Sequence, residues 1–321
     1  QQLGYDNSLR MAFYQPLSMA GTFVVAPRVS VGTQRVSIYQ QDNRIAEYNV
    51  STAVGGIDLG MQFQQYGELR LGLEGGRVKA ELETGPASLD PGGDTRTLGA
   101  IRARLLLDRL DNVHFPRFGR KSAATILRNN ADLGAELPYT RWAASGRLAH
   151  SFGENTVRLG VNAGGTIGNN PLPAYDQFQW GGFLQQSGYR TGQLYGEKLV
   201  FGRALYYQRI FRGGFFEGAY GGMSLELGKV GNPLVTGSPD GLLKSASIFV
   251  AAMHGGKKQY PLSVSAAANR PIFKPRLSPR WLNPMPSRST NAHQALPLYP
   301  CPTWYVFCCP SVSSSAMCSA N

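Results

Sequence analysis

The eight residues Gly67-Glu-Leu-Arg-Leu-Gly-Leu-Glu74 decide the fold class. Leu69, Leu71 and Leu73 fall at alternate positions, with Glu68, Arg70 and Glu74 between them. A period of two puts the leucines on one face of a strand and the charges on the other. The pattern recurs along the chain. In 100–108, Ile101, Ala103, Leu105 and Leu107 oppose Arg102, Arg104 and Asp108. In 141–149, Trp142, Ala144, Gly146 and Leu148 oppose Arg141, Ser145 and Arg147. In 157–163, Val157, Leu159, Val161 and Ala163 oppose Arg158, Gly160 and Asn162, and in 219–228 Met223, Leu225 and Leu227 oppose Ser224 and Glu226. Weaker segments of the same kind are 8–15, 21–31, 34–41, 44–52, 53–64, 119–128, 175–184, 198–211 and 242–253, separated by Gly, Asn, Asp and Pro. The reading is about thirteen to fourteen strands and no amphipathic helix.

Alternation fits a soluble sandwich as well as a membrane barrel, and three features favour the barrel. The segments run about 9–12 residues, the length a tilted strand needs to cross a bilayer. The face opposite the apolar row carries Arg, Glu, Asn and Gly, as a polar lumen would. Aromatics such as Tyr14, Tyr39, Phe63, Phe152, Tyr175, Phe178, Tyr206 and Tyr207 stand at strand ends, where interfacial girdles form. No run approaches 18 apolar residues, so no transmembrane helix is expected, and the first 30 residues lack the pattern of a secretory leader.

The chain of 321 residues holds 32 Lys+Arg against 20 Asp+Glu, a formal +12, which invites a nucleic-acid reading until the charge is located. Residues 1–253 hold 25 basic and all 20 acidic residues, 37 of the 39 Gly and no Cys. Residues 254–321 hold 7 basic and no acidic residues, 10 of the 20 Pro and all four Cys (Cys301, Cys308, Cys309, Cys318). The composition changes inside the strand-like run Ala246–Met253 rather than at a linker. The expectation is a barrel domain at 1–253 and a disordered or frame-shifted basic tail at 254–321, since Pro at this density opposes both helix and central strand. The body's remaining charge is spread as Arg on the polar faces of strands, which excludes a nucleic-acid patch.

Two stretches go beyond pattern. Leu107-Asp-Arg-Leu-Asp-Asn-Val-His-Phe-Pro-Arg-Phe-Gly119 places Asp108, Asp111 and Asn112 to close Asx-type turns, Phe115 and Pro116 at its tip, and Gly119 at the start of the next strand. It resembles the strand–turn–strand signature of the bacterial surface antigen barrels, the BamA/TamA/two-partner-secretion superfamily. Gly181-Gly-Phe-Leu-Gln-Gln-Ser-Gly-Tyr-Arg-Thr-Gly-Gln-Leu-Tyr-Gly196 resembles that superfamily's long loop, which folds back into the lumen with an Arg-Gly-Tyr/Phe tip. Here Ser187 stands at the Arg position, Gly188 and Tyr189 match, and Arg190 follows. In this feature, and in Phe13–Leu17, Val25–Pro27, Gly56–Gly60, Gly67–Gly72 and Ser224–Gly228, the chain is similar to the branch whose barrel is fused to a patatin-like phospholipase.

The resemblance implies an all-β, antiparallel transmembrane β-barrel in the Gram-negative outer membrane. About 13 of the sixteen family strands are expected here, without the first and the last. The loop-tip Arg of the family pairs with an acidic residue in a Phe-x-Asp-x-Gly strand, which Ser224-Leu-Glu-Leu-Gly228 matches through Glu226 and Gly228. Arg190 is therefore expected to pair with Glu226, the alternative being that Glu226 meets Arg203 or Arg209. The implied partners are outer-membrane lipid, the barrel assembly machinery, and an N-terminal patatin-like domain as cargo or anchored domain. The implied role is a translocator or anchor in type V secretion. An assembly factor, a two-partner-secretion transporter and a soluble all-β binding protein remain as alternatives.

No catalytic, cofactor or metal site is expected in this chain, and it is not read as an enzyme. It has no Gly-x-Ser-x-Gly elbow, P-loop, His-Glu-x-x-His or dinucleotide fingerprint. Gly237–Gly241 reads as a polar loop. His114, His150, His254 and His293 lack metal-ligand spacing, and the four Cys fit no common zinc pattern.

Overall fold

The computed structural model describes residues 7–19, 21–113, 115–213, 216–235, 239, 241–254, 258–267, 276–279 and 306–310. His114, His293, Cys301, Cys318 and most of the Gly237–Gly241 loop lie outside them. The strands are β1 (Asn7–Phe13), β2 (Gln15–Pro16), β3 (Phe23–Gln40), β4 (Asn43–Phe63), β5 (Gly67–Thr84), β6 (Thr95–Asp108), β7 (Gly119–Asn129), β8 (Tyr139–Phe152) and β9 (Asn155–Ile167). They continue as β10 (Phe178–Trp180), β11 (Leu194–Gly196), β12 (Lys198–Gly213), β13 (Phe216–Gly231), β14 (Leu243–His254), β15 (Lys258–Ala267), β16 (Arg276–Pro279) and β17 (Val306–Pro310).

One antiparallel sheet runs β17-β1-β3-β4-β5-β6-β7-β8-β9-β12-β13-β14-β15-β16, with β2 beside β3. The two ends of that order are not paired with each other among the described residues. β10 and β11 form a separate hairpin inserted between β9 and β12.

Even-numbered residues of β3–β5 face inward. Leu69, Leu71 and Leu73 are exposed on the outer face, in register with Met61, Leu59 and Ile57 of β4 and with Leu105, Ala103 and Ile101 of β6. The outer apolar face continues through Leu148, Leu159, Val161, Val200, Met223, Leu225, Leu227, Ile248 and Val250. An apolar surface of this extent is what a lipid-facing belt requires. The inner face is polar and paired: Asp58 takes Arg102 Nη2 at 2.6 Å and Arg28 Nε at 3.3 Å, while Arg28 also binds Glu74. Gly72 makes room for this network, because a Cβ there would lie 1.9 Å from Asp58 Oδ1.

The strand partition differs from the sequence-based one. Segments 21–31 and 34–41 are one 18-residue strand, β3, and 44–52 with 53–64 are one 21-residue strand, β4. Segment 175–184 is not a wall strand, since only Phe178–Trp180 is extended and it pairs with β11. Eleven long strands therefore make the wall up to His254 instead of thirteen or fourteen. In the tail, the expected absence of strands does not hold for β15, β16 and β17. Pro261 pairs with Ala251 of β14 at a position β16 does not reach, an edge site where proline's missing N–H is tolerated.

Candidate functional site in the barrel lumen

The connection from β9 to β12 (168–197) folds inward. β10 and β11 bring its ends together in a three-residue ladder, and residues 181–193 form the tip. The tip turns back on itself through Gly181, Gly182, Gly188 and Gly192, all with positive φ. Leu184 (φ 59°) and Gln186 (φ 71°) share that region despite having side chains, which costs energy that surrounding contacts must offset. Those contacts are specific. Tyr189 is buried with Trp180, Phe178, Leu172, Leu194, Phe201 and Val230. Gln193 Nε2 donates to the Gln41 carbonyl at 2.6 Å and to Asp42 Oδ1 at 2.9 Å, tying the tip's far side to the β3–β4 turn. Arg203 donates to the Leu184 carbonyl. Two wall glycines permit this close approach: a Cβ at Gly164 would meet Phe178 Cζ at 2.4 Å, and one at Gly228 would meet Gln186 Oε1 at 2.5 Å.

At the centre, Ser187 and Gln186 are fully buried and Glu226 is 1 % exposed. Glu226 accepts four hydrogen bonds. They come from the Ser187 backbone N–H (2.5 Å), Ser187 Oγ (2.9 Å), Ser224 Oγ (2.8 Å) and Ser245 Oγ (3.0 Å). Gln186 Nε2 donates to Ser245 Oγ at 3.1 Å, and Ser224 meets Ser247 at 2.7 Å, so the carboxylate anchors a continuous hydroxyl network. The four donors satisfy the buried carboxylate oxygens without a direct cation.

The expected Arg190–Glu226 pair does not form. Arg190 is exposed, with its guanidinium 5.9 Å from the Tyr39 ring centroid and its N–H on Gln193 Oε1 at 2.7 Å. The reason is positional. Ser187, not Arg190, occupies the point nearest the wall, and the neighbouring serines supply the donors that a guanidinium would otherwise bring. Arg209 pairs with Glu154 at 3.6 Å, while Arg203 sits across from Glu226 in register without an ion pair to it. Sequence reasoning missed Ser245 and Gln186. For Ser245 the signal was its alternation, with Ser247, against Ala246 and Ile248, which puts hydroxyls on the inner face of β14.

The second motif joins β6 to β7. Asp108 Oδ1 accepts from Leu110 N (3.1 Å) and Oδ2 from Lys121 Nζ (2.6 Å). Asp111 accepts from Arg117 N at 2.9 Å, and Asn112 Oδ1 from Phe115 N at 3.2 Å. Gly119, at φ 109°, is required twice over, since a Cβ would lie 1.9 Å from the Arg109 carbonyl. The turn thereby pushes Phe115 and Pro116 inward. Phe115 stacks on Tyr220 at 4.0 Å and meets Tyr207 edge-on at 5.4 Å, and Tyr207 donates to the Pro116 carbonyl. Phe183 and Leu184 of the lumen loop pack on this cluster, so both motifs meet inside the barrel.

At the loop's root, Asp176 is held 3.7 Å from Arg141 Nε. Burial pushes the Asp176 carboxyl up from its ordinary value, against the opposing pull of Arg141. The described residues contain no His/Cys/Asp/Glu group with the geometry of a metal site.

Residues 2–211 match the Omp85 superfamily domain. No curated protein matches the chain. Among solved structures, the fold is similar to BamA from Haemophilus ducreyi lacking POTRA domains 1–3, with TM-score 0.63 and 12 % identity over 84 % of this chain and 60 % of that one. It is also similar to CdiB from Escherichia coli (0.54, 13 %, over 88 % and 61 %) and to CdiB from Acinetobacter baumannii (0.54, 10 %, over 85 % and 48 %). The chain thus spans less than two thirds of each of these structures.

Proposed function

The chain belongs to the Omp85 superfamily of Gram-negative outer-membrane barrels, and from that premise we propose that it is a translocator or anchor barrel controlled by its lumen loop. The observation that carries this is the seating of Ser187 on Glu226, which holds residues 181–193 across the interior. A pathway through the lumen requires that loop to shift, and the bonds to Glu226, the Arg203 clamp and the Gln193 tie are what it must break. The connections 85–94, 130–138 and 168–197 lie at one end of the strands together with the tight turn 41–42, and 64–66, 109–118 and 153–154 lie at the other, so the first end carries the longest connection. Outer-membrane barrels carry long loops outside and short turns on the periplasmic side, so the lumen loop enters from the cell surface.

The finer reading is that this barrel serves a patatin-like phospholipase, as cargo or as an anchored domain, in type V secretion. Its support is Ser-Gly-Tyr-Arg at 187–190, with the serine using its hydroxyl where the assembly factors place Arg. Superfamily barrels are transporters and assembly factors, so any hydrolysis would belong to a fused domain. Outer-membrane lipid and the barrel assembly machinery are the partners this reading requires. The gene sequence upstream of this segment tests it: a patatin motif supports it, and a row of periplasmic repeat domains overturns it. Recovery in the outer-membrane fraction with heat-modifiable gel mobility tests the barrel itself. We also propose that residues 254–321 originate in a shifted reading frame. An in-frame strand-like continuation in the gene supports it, and its absence defeats it.

A further inference from the structure

The inner wall beside the loop presents three guanidiniums at neighbouring positions. Arg203 of β12 and Arg147 of β8 both pair in register with Gly160 of β9, one from each side. Arg158 lies two residues along β9 on the same face. Strands about 4.8 Å apart place the flanking arginine backbones roughly 10 Å from one another, with no side chain between them. A Cβ at Gly160 would find Arg203 Nη2 at 3.8 Å and Nε at 3.9 Å, so that guanidinium leans over the glycine.

These cations are under-compensated. None of the three makes an ion pair with a described carboxylate, and the buried Nε atoms of Arg158 and Arg203 have no acceptor. Glu226, the one acid in register with them, is occupied by four other donors. The opposite wall behaves differently, matching Arg28 and Arg102 with Asp58 and Glu74. Three guanidiniums against one carboxylate leave about two positive charges over a gap with a glycine floor.

We propose that the gap formed by Arg147, Arg158 and Arg203 over Gly160 binds a phosphate-type oxyanion. A phosphomonoester carries about −1.5 to −2 near neutral pH, which matches the surplus, and its oxygens accept the forked N–H pairs that guanidinium presents. The phosphate could be free in the lumen or belong to a lipid headgroup. This inference rests on the wall geometry and not on the translocation reading.

The test titrates inorganic phosphate into the full chain folded in detergent micelles, at low ionic strength with chloride as control, and reads heat. The expected result is saturable one-site binding, weakened tenfold or more by Arg147→Gln and by Arg158→Gln. Gly160→Val keeps every charge but fills the floor, and it should weaken binding as much. Heat-modifiable mobility of each variant shows that the barrel is intact. Micelles doped with phosphatidic acid form the second arm. Displacement of phosphate by the lipid assigns the site to a headgroup, and no displacement assigns it to soluble phosphate. Absence of saturable phosphate binding, or binding unchanged in Arg158→Gln and Gly160→Val, overturns the proposal.

Discussion

Glu226 shows how one substitution in a loop is absorbed by its surroundings. With Ser187 facing it, charge compensation passes from a guanidinium to a set of hydroxyl and amide donors. Ser187→Ala removes one bond to a carboxylate and should cost about 1.5–3 kcal/mol. Glu226→Ala should cost more, because it strands Ser187 N–H and the hydroxyl protons of Ser187 and Ser245 in a buried space. The temperature at which the folded gel band disappears, compared across the two variants, checks the order. Asp176 gives a pH signature. Its folded carboxyl binds its proton more tightly than in the unfolded chain, so the folded barrel is favoured below the ordinary carboxylate range. That advantage is lost as pH rises through the raised value. Unfolding midpoints measured against pH should fall over this window, and Asp176→Asn should flatten the profile.

At the scale of elements, the alternation at 67–74 read the wall correctly, and the splitting of β3 and β4 into two segments each has one cause. In β3 the outward residues Val29 and Val31 are apolar, and then the inward residues Val36 and Ile38 take over. β4 and β5 make the same change, with Ala46, Tyr48, Val50, Val78 and Ala80 buried inside while Ile57, Leu59 and Leu71 face out. The strands continue straight on, but the apolar set changes face where they rise past the outward belt and pack over Tyr195 and Tyr175 of the lumen loop. A period-two reading sees that change as a strand boundary. The turn at 108–119 was legible because Asx caps and a positive-φ glycine are local chemistry. The donors to Glu226 were only half legible, because Ser245 reaches it across a strand pair. The loop itself depends on wall glycines. Gly164→Ala sets a methyl against the Phe178 ring, and we expect the loop to be displaced and residues 181–193 to become protease-sensitive in otherwise intact barrels. Unchanged protease resistance would contradict this packing.

For the whole molecule, the apolar outer face and charged inner face invert the arrangement of a soluble protein, and this inversion places arginines of residues 1–253 such as Arg28, Arg102 and Arg203 on the lumen side. Leu71→Arg, on the outer belt, should destabilise the folded barrel by about 2–4 kcal/mol if it lies near the bilayer midplane. Denaturant titration in lipid vesicles measures it. The same arginine at inward position 70 already occurs naturally, bonded to Glu68 at 2.7 Å. The most direct test of the barrel is an accessibility scan of residues 68–71, 73 and 74, one cysteine at a time, in a background with the four native cysteines changed to serine and the protein reconstituted in lipid; Gly72 is left alone because no side chain fits there. Spin labels at 69, 71 and 73 should be quenched by lipid-soluble oxygen and shielded from a water-soluble nickel chelate, with labels at 68, 70 and 74 showing no such lipid exposure. A scan without this alternation, or with the leucine positions open to the aqueous quencher, would contradict a lipid-facing barrel.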